Sequence, residues 1–448
     1  MDYLSGLPKT ILHDILARLP YKDAAKTIAL SKTWRDTWSS YPNLYVHCND
    51  FITLHHVPII NSHRFTKMDI LIDYVTKRLL RLCAQGLAIK EFKLDLRYLF
   101  HPPHGSHDVD QWIQMACASG VEVLELYLSN GSIGREYSED IWYDLPLCVI
   151  EAKSLTKLVL TGGIRVGQEF LSHSMKFSSV RMLSLRHVLF THEGVIKHLI
   201  SHCPLIEQLT VEYCSVYNHL SIEGPQVHRI SRVKFLFLNG LQRLKKVHVQ
   251  GVEEVHIDSP NLENLCYSHF KFGEPFNLNF DSCTKLRCLC IIDLNSTTIA
   301  EKWFLELFSK YPLLESLEIC NCSVPEKINI FSSQLKVLKL YDCSNLNEVN
   351  IDAPNLLSFD YRDYKNRHRD YKNPVISFLR GSNQLEVSVF TNLRCQYFYS
   401  LSRFIENMPR KILASLSLFI YELLPNYRDM PALLISSTPP KSNIWVLE

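Results

Sequence analysis

Residues 314–322 read Leu-Glu-Ser-Leu-Glu-Ile-Cys-Asn-Cys, with apolar residues at Leu314, Leu317 and Ile319 and the small Cys322 three positions on. Alternate side chains of an extended segment point to opposite faces, so Leu317 and Ile319 share one face while Ser316 and Glu318 look the other way. The same apolar-x-x-apolar-x-apolar spacing recurs as Val121-Leu124-Leu126, Leu155-Leu158-Leu160, Val180-Leu183-Leu185, Ile206-Leu209-Val211, Leu244-Val247-Val249 and Leu262-Leu265-Tyr267. It continues as Leu286-Leu289-Ile291, Leu335-Leu338-Leu340, Leu356-Phe359-Tyr361 and Leu413-Leu416-Leu418, with Val252-Val255-Ile257 and Leu346-Val349-Ile351 as shorter intermediates of the series. The spacing predicts a row of short strands, none of which buries its apolar face alone.

Several strands are preceded by an amphipathic helix with a common ending. Val195, Leu199, Ile200 and Cys203 come before Pro204; Ile299, Trp303, Phe304, Leu307 and Phe308 before Pro312; Leu401, Phe404, Ile405 and Met408 before Pro409. Val109, Trp112, Ile113, Ala116 and Cys117 form a further stripe stopped by Gly120. Strand and helix layers must therefore stack to bury each other. This pattern resembles the leucine-rich repeat. In that resemblance Cys214, Cys322 and Cys343 occupy the small, buried turn position, a packing role without chemistry, and Cys288/Cys290 and Cys320/Cys322 read as packed thiols. Glu254–Leu262 (EVHIDSPNL) and Glu348–Leu356 (EVNIDAPNL) are an internal duplication. Their D-[SA]-P-N-L ends read as tight strand-to-strand turns, the aspartate accepting a backbone N–H and proline fixing φ.

Upstream lies LSGLPKTILHDILARLPYKDAAKTIALSKTWRDTWSSYP, residues 4–42. Apolar residues at Ile11, Leu12, Ile15, Leu16 and Leu19 predict a helix entered through Pro8 and stopped by Pro20. A second helix follows over Ala24, Ala25, Ile28, Ala29 and Leu30, and a third carries Trp34, Trp38 and Tyr41. So small a unit has too little volume to bury all of Leu7, Leu16, Leu19, Leu30 and its tryptophans, which predicts an exposed apolar face and a partner.

The order Leu7-Pro8, Ile15-Leu16, Leu19-Pro20 and Leu30-Ser31-Lys32-Thr33-Trp34-Arg35 with Trp38 resembles an F-box. The resemblance implies docking on a Skp-type adaptor and, through it, on a cullin-RING ubiquitin ligase. It implies adaptor contacts at Leu7, Pro8, Leu12, Ile15, Leu16, Leu19, Leu30 and Trp34, with affinity concentrated in anchors such as Leu16 and Trp34 and little in Lys22. F-box and repeats together, with their EVxID[SA]PNL units, resemble the plant F-box/leucine-rich-repeat group of FBD-associated type. After Pro425, Pro431 and Pro439-Pro440 the sequence leaves no room for a complete FBD domain, and Leu433–Ile435 and Ile444–Leu447 read as last strands of a cap. The fold class expected is α/β: a three-helix F-box over 1–43, a linker and capping repeat over 44–108, an irregular leucine-rich-repeat solenoid over 109–424 and a cap or tail over 425–448. Within 44–108, Leu71 to Leu82 predicts a helix and Phe92, Leu94 and Leu96 a strand. Parallel strands would line the concave face, with helices or loops on the convex one.

Composition adds exclusions. The chain has 448 residues, 48 basic against 46 acidic and a net charge of +2, which gives no reason to expect nucleic acid or an anionic membrane surface. The start MDYLSGLPK lacks a secretory pattern, and no stretch reaches the roughly 18 apolar residues of a membrane span. An intracellular protein, cytoplasmic and/or nuclear, is expected, its 14 cysteines reduced. No CxxC pair, nucleophile-base spacing or phosphate-cradling loop occurs, so neither catalysis nor a cofactor is expected. His101, His104 and His107 lie in a proline-rich stretch read as a surface loop without a metal. Residues 362–372, RDYKNRHRDYK, read as an insertion whose Arg362, Lys365, Arg367 and Arg369 would face a substrate. The function implied is substrate recognition in an SCF-type ligase. The alternatives are a ligand-sensing receptor, to which outward Lys157, Arg181, Lys245, Arg287 and Lys336 would contribute, and a non-degradative interaction scaffold.

Overall fold

The computed structural model describes residues 3–49, 64–100, 102–128, 142–173, 177–218, 229–269, 277–294, 299–363, 374–380, 382, 384–392, 413–421 and 434–437. Two units, Met1–Val233 and Lys234–Glu448, each carry their own core. The first opens with helices α1 (Lys9–Arg18), α2 (Tyr21–Lys26) and α3 (Lys32–Ser39). Pro8 and Pro20 stand at the N-caps of α1 and α2, and Ser31 caps α3 by accepting the Trp34 N–H at 3.3 Å. The chain then enters the sheet directly: β1 (Asn43–His47) pairs in parallel with β2 (Glu91–Asp95) across the helix Arg64–Ala84.

Strands of the first unit's main sheet continue in parallel as β3 (Val123–Tyr127), β5 (Lys157–Thr161), β7 (Met182–Arg186) and β9 (Gln208–Glu212). A second sheet holds β4 (Tyr143–Asp144), β6 (Ile164–Val166), β8 (Leu189–Phe190), β10 (Ser215–Asn218) and β11 (Arg229–Arg232). Helices Ser106–Ala118 and Glu193–Ser201 bury the stripes expected of them, Val109/Trp112/Ile113/Ala116 and Val195/Leu199/Ile200. Gly120 ends the first of these at φ +79°, the left-handed conformation that favours glycine at a helix C-terminus.

In the second unit the main sheet runs through β13 (Lys246–Gln250), β15 (Asn264–Ser268), β17 (Cys288–Ile292), β18 (Ser316–Cys320), β20 (Val337–Tyr341), β22 (Ser358–Asp363), β24 (Leu385–Asn392) and β25 (Leu413–Tyr421), all parallel. A last strand, β26 (Leu434–Ser437), is antiparallel. The helix Glu301–Lys310 sits between β17 and β18 and buries Phe304 and Leu307. Second sheets are formed by β12 (Phe235–Asn239), β14 (Glu254–Asp258) and β16 (Asn277–Asn279), and by β19 (Lys327–Phe331), β21 (Glu348–Asp352) and β23 (Val375–Arg380). Val255-Ile257 and Val349-Ile351, read as shorter intermediates of the series, belong to this second layer. The helix expected over Leu401–Met408 and the strand over Ile444–Leu447 lie outside the described residues.

Register explains why the apolar spacing is so strict. Val247, Leu265, Leu289, Leu317, Leu338 and Phe359 are successive partners, as are Val249, Tyr267, Ile291, Ile319, Leu340 and Tyr361, and every one is buried. A slip of one residue would turn each row outward. Many strand ends are alike too. Gly162, His187, Tyr213, Gly251, Asp293, Asn321 and Asp342 each follow a main strand with positive φ. The N–H of His187, Asn321 and Asp342 extends the ladder to Glu212, Tyr341 and Arg362 at 2.8, 2.7 and 2.7 Å. The turn lets the next residue dive into the core: Cys214, Cys322 and Cys343 donate their thiols to the carbonyls of Leu185, Ile291 and Ile319, one strand back, at 3.4, 3.7 and 3.5 Å. Burial pushes the Cys214 and Cys322 thiols up to about 12, consistent with packing alone.

The duplicated turns hold across repeats by their asparagines. Asn261 Nδ2 donates to Gln242 O at 2.8 Å and Asn355 Nδ2 to Ser333 O at 2.6 Å. Asp352 is taken by Arg380 in a bidentate pair at 2.5 and 2.7 Å, rather than by a backbone N–H as its turn position suggested.

Candidate functional site

Two surfaces qualify: the N-terminal helices and the outward face of the main sheets. In the helices the core consists of Leu12, Leu16, Ala24, Trp34, Trp38 and Tyr41, with Leu7, Ile15, Tyr21, Ala25 and Ile28 packed against it. Trp38 stacks on Tyr41 with ring centroids 5.8 Å apart and meets Tyr21 at 5.1 Å. Arg78, from the helix Arg64–Ala84, donates to Trp38 O at 2.6 Å and lays its guanidinium 5.1 Å from the Trp38 ring. The N-terminal helices are thus pinned to the helix Arg64–Ala84 by a buried cation whose own proton affinity falls through desolvation.

This packing sorts the residues expected to touch an adaptor. Leu12, Leu16 and Trp34 are 1–2 % exposed and lie in the core of the helices. Leu7 and Ile15 are half-buried, whereas Pro8, Leu19 and Leu30 are exposed. Leu30 is 64 % exposed, and Leu4, Ile11 and Leu19 join it among the exposed large apolar residues. The sequence reading missed Leu4 as a surface residue. On α1 the signal was present: apolar pairs at 11–12 and 15–16 make a stripe too wide for one buried seam.

On the sheets, the outward rows are dominated by paired charges. In the first unit Glu125 receives Lys157 at 2.8 Å, Lys93 at 3.7 Å and the Tyr127 hydroxyl at 3.0 Å. Burial alone would raise its carboxyl, but the hydrogen bond from Lys157 and the charge of Lys93 hold it below the usual range. In the second unit Asp360 accepts Arg362 at 2.6 Å and the Tyr341 hydroxyl at 2.7 Å, while the Arg362 guanidinium lies 4.7 Å from the Tyr341 ring. Arg362 is therefore a strand residue clamped on the sheet, not part of a loop. Lys365, Arg367 and Arg369 lie outside the described residues. Of the outward basic residues, Lys157 is bound by Glu125, Arg181 by Glu207 at 2.8 Å, and Arg287 and Lys336 by Glu315 at 2.6 and 2.9 Å. Such pairs spend their charge on neighbouring repeats. Among the described residues no cluster of His, Cys, Asp and Glu could hold a metal, and His104 faces Asp69 at 3.4 Å.

One expectation about cysteines is overturned. Cys322 is buried, but Cys288, Cys290 and Cys320 stand half-exposed on the outward rows, as does Cys266. Their neighbours Leu289, Ile291 and Ile319 occupy the core, and alternation leaves the cysteines only the other face.

The helices followed by stacked parallel strands define an F-box/leucine-rich-repeat protein. The F-box family model matches residues 4–45, the LRR repeats of FBD-associated F-box protein At5g56370 match 109–289, and the At1g61320/AtMIF1 LRR domain matches 265–410. The Arabidopsis thaliana FBD-associated F-box protein At3g52670 is 27% identical over 68% of this chain and 68% of its own length. F-box/FBD/LRR-repeat protein At1g13570, from the same plant, is 28% identical over 55% of this chain and 53% of its own. This chain thus spans little more than half the length of that second relative. Among solved structures, a chain of the TLR13-ssRNA13 complex aligns at 12% identity over 76% of this chain and 63% of its own, with a TM-score of 0.23, too slight a likeness to inform the site. The chain is thus similar to the plant F-box/leucine-rich-repeat proteins of FBD-associated type.

Proposed function

We propose that this protein is the substrate-recognition subunit of an SCF-type cullin-RING ubiquitin ligase, acting in the cytoplasm, the nucleus or both. Its helices dock on a Skp-type adaptor, and the outward faces of its repeats hold a protein substrate while other subunits perform ubiquitin transfer. The observation that carries this reading is the exposed set Leu4, Ile11, Leu19 and Leu30 on helices whose core is otherwise closed. Exposed leucines on a well-packed helical surface favour an apolar partner, since each large side chain gains about 1.5–3 kcal/mol when removed from water. The paired charges of the sheet suit a protein surface that exchanges ion pairs, and they leave little for a small anionic ligand. The test is co-purification of the full chain with a Skp-type adaptor and a cullin. A stoichiometric complex is expected for the natural sequence and for Lys22→Ala, with loss of the complex for Leu30→Glu. Elution of the folded natural chain alone would overturn the reading.

A further inference from the structure

The in-register pairing of β13, β15, β17 and β18 sets His248, Cys266, Cys290 and Glu318 side by side on one outward row of the second unit. Cys288 and Cys320 occupy the flanking outward positions, and all these side chains are half-buried rather than enclosed. Adjacent strands lie about 4.8 Å apart, inside the Cα separation of about 4.4–6.8 Å that disulfides span. Cys266 and Cys290, direct partners in the ladder, therefore meet the Cα separation of a disulfide, and a small local adjustment would close the bridge.

The surroundings differentiate the two sulfurs. A hydrogen bond from the Cys290 thiol, and after it one from His248, holds the Cys266 thiol below its ordinary range despite partial desolvation. Donating that bond keeps Cys290 protonated, its own affinity for the proton raised. This is the reverse of the packed thiols Cys214, Cys322 and Cys343, which donate to carbonyls in the core.

We propose that Cys266 and Cys290 form a modification site for hydroperoxides, with Cys266 as the attacking sulfur and Cys290 as the resolving one. Cys266 attacks the peroxide: an S–O bond forms, the O–O bond breaks and the leaving oxygen takes a proton to depart as alcohol or water. Cys290 then attacks the resulting sulfenic acid; the S–S bond forms, the S–O bond breaks and water leaves with the Cys290 proton. Two thiols are oxidised to one disulfide and one hydroperoxide is reduced. The site stands apart from the ligase reading, because it concerns the chemistry of the sheet whatever binds there.

The reduced full chain is treated with hydrogen peroxide at one equivalent, remaining thiols are alkylated, and peptides are mapped with the exposed Cys83 as internal reference. A Cys266–Cys290 linked peptide is expected first, reversed by dithiothreitol. Cys290→Ser should leave a Cys266 sulfenic acid trapped by dimedone, and Cys266→Ser should lose both products. On the unmodified chain, iodoacetamide should alkylate Cys266 faster than Cys83 at mildly acidic pH. Equal alkylation rates, or earlier oxidation of Cys83 or of Cys117 and Cys148, would overturn the assignment.

Discussion

Trp34 in the helices and Leu317 in the repeats are both almost fully enclosed, yet they hold different places in their cores. Trp34 meets Leu12, Leu16 and Trp38 in a cluster that occurs once. Leu317 lies in register between Leu289 and Leu338, with the same contact made again at each neighbouring strand. In the helices a motif residue is scaffold and its neighbours make the surface; in repeats such as those of β17, β18 and β20 the strand contributes one residue to the scaffold and the next to the surface. Loss of a unique piece and loss of one copy should therefore differ in how far the damage spreads.

The largest effect expected is that of Trp34→Ala, about 3–5 kcal/mol, enough to open the helices as a unit. Leu317→Ala should cost a comparable 2–5 kcal/mol but act locally, about one strand to either side. Amide hydrogen exchange separates the two. The first variant should release protection across α1 to α3 and the second only in β17, β18 and β20; unchanged protection in α1 after Trp34→Ala would break the distinction.

Next comes the surface of the helices. Leu30→Glu should weaken adaptor binding by about 2 kcal/mol or more, the scale of an interface anchor, while leaving exchange protection in α1 intact. Leu16→Ala should lose both together. Identical behaviour of the two variants would mean that core and surface cannot be told apart in so small a unit.

That confusion also marks where the sequence stops being informative. The main strands were legible because the register forces an apolar residue at every second position, and Leu289 and Ile291 could not turn outward without exposing a whole row. The same alternation already implied that Cys288 and Cys290 face out. The burial of Leu12, Leu16 and Trp34 was not legible because an apolar motif residue looks alike whether it closes a core or meets a partner. The second sheets escaped because their strands are short, such as Leu189–Phe190, or lie on the surface, as Phe235 and Phe237 do at 44 % and 43 % exposed. Asp352 was expected to bind its own turn because Arg380 is distant in sequence and arrives only through the pairing of β21 with β23.

A smaller effect should follow pH. His13 donates its Nε2–H to Thr37 O at 3.3 Å and stands 5.6 Å from the Tyr41 ring, and burial lowers its proton affinity below the ordinary 6.5. The unfolded chain thus binds this proton more readily than the folded one, so stability is fully present above about pH 6.5 and declines as pH falls through the folded value. Hydrogen exchange of α1 and α3 between pH 7 and 5, corrected for intrinsic rates, should show the decline in the natural chain and a flatter response in His13→Gln. A decline of the same size in both would assign the pH dependence to other groups.

The smallest effect lies in the repeats, at the left-handed residue that ends many of the main strands. Gly251 sits there at φ +77°, while Asn321 and Asp342 hold the equivalent place at φ 51° and 49°. An L-residue in that region suffers a clash between its Cβ and the following carbonyl, and short polar side chains tolerate it best through local hydrogen bonds. Gly251→Ala should therefore cost about 1 kcal/mol, and Gly251→Asn about half as much. The Gly251 N–H bonds to Ser268 O at 3.0 Å, so protection of the β13 and β15 amides reads the change directly. An order of glycine, asparagine, alanine from most to least protected would tie the repeat's strand ends to backbone conformation. Equal losses for the two variants would instead place the cost in side-chain packing around Val252, where a repeat differs from its neighbours, and the likeness of these strand ends would then be a matter of sequence rather than of backbone energy.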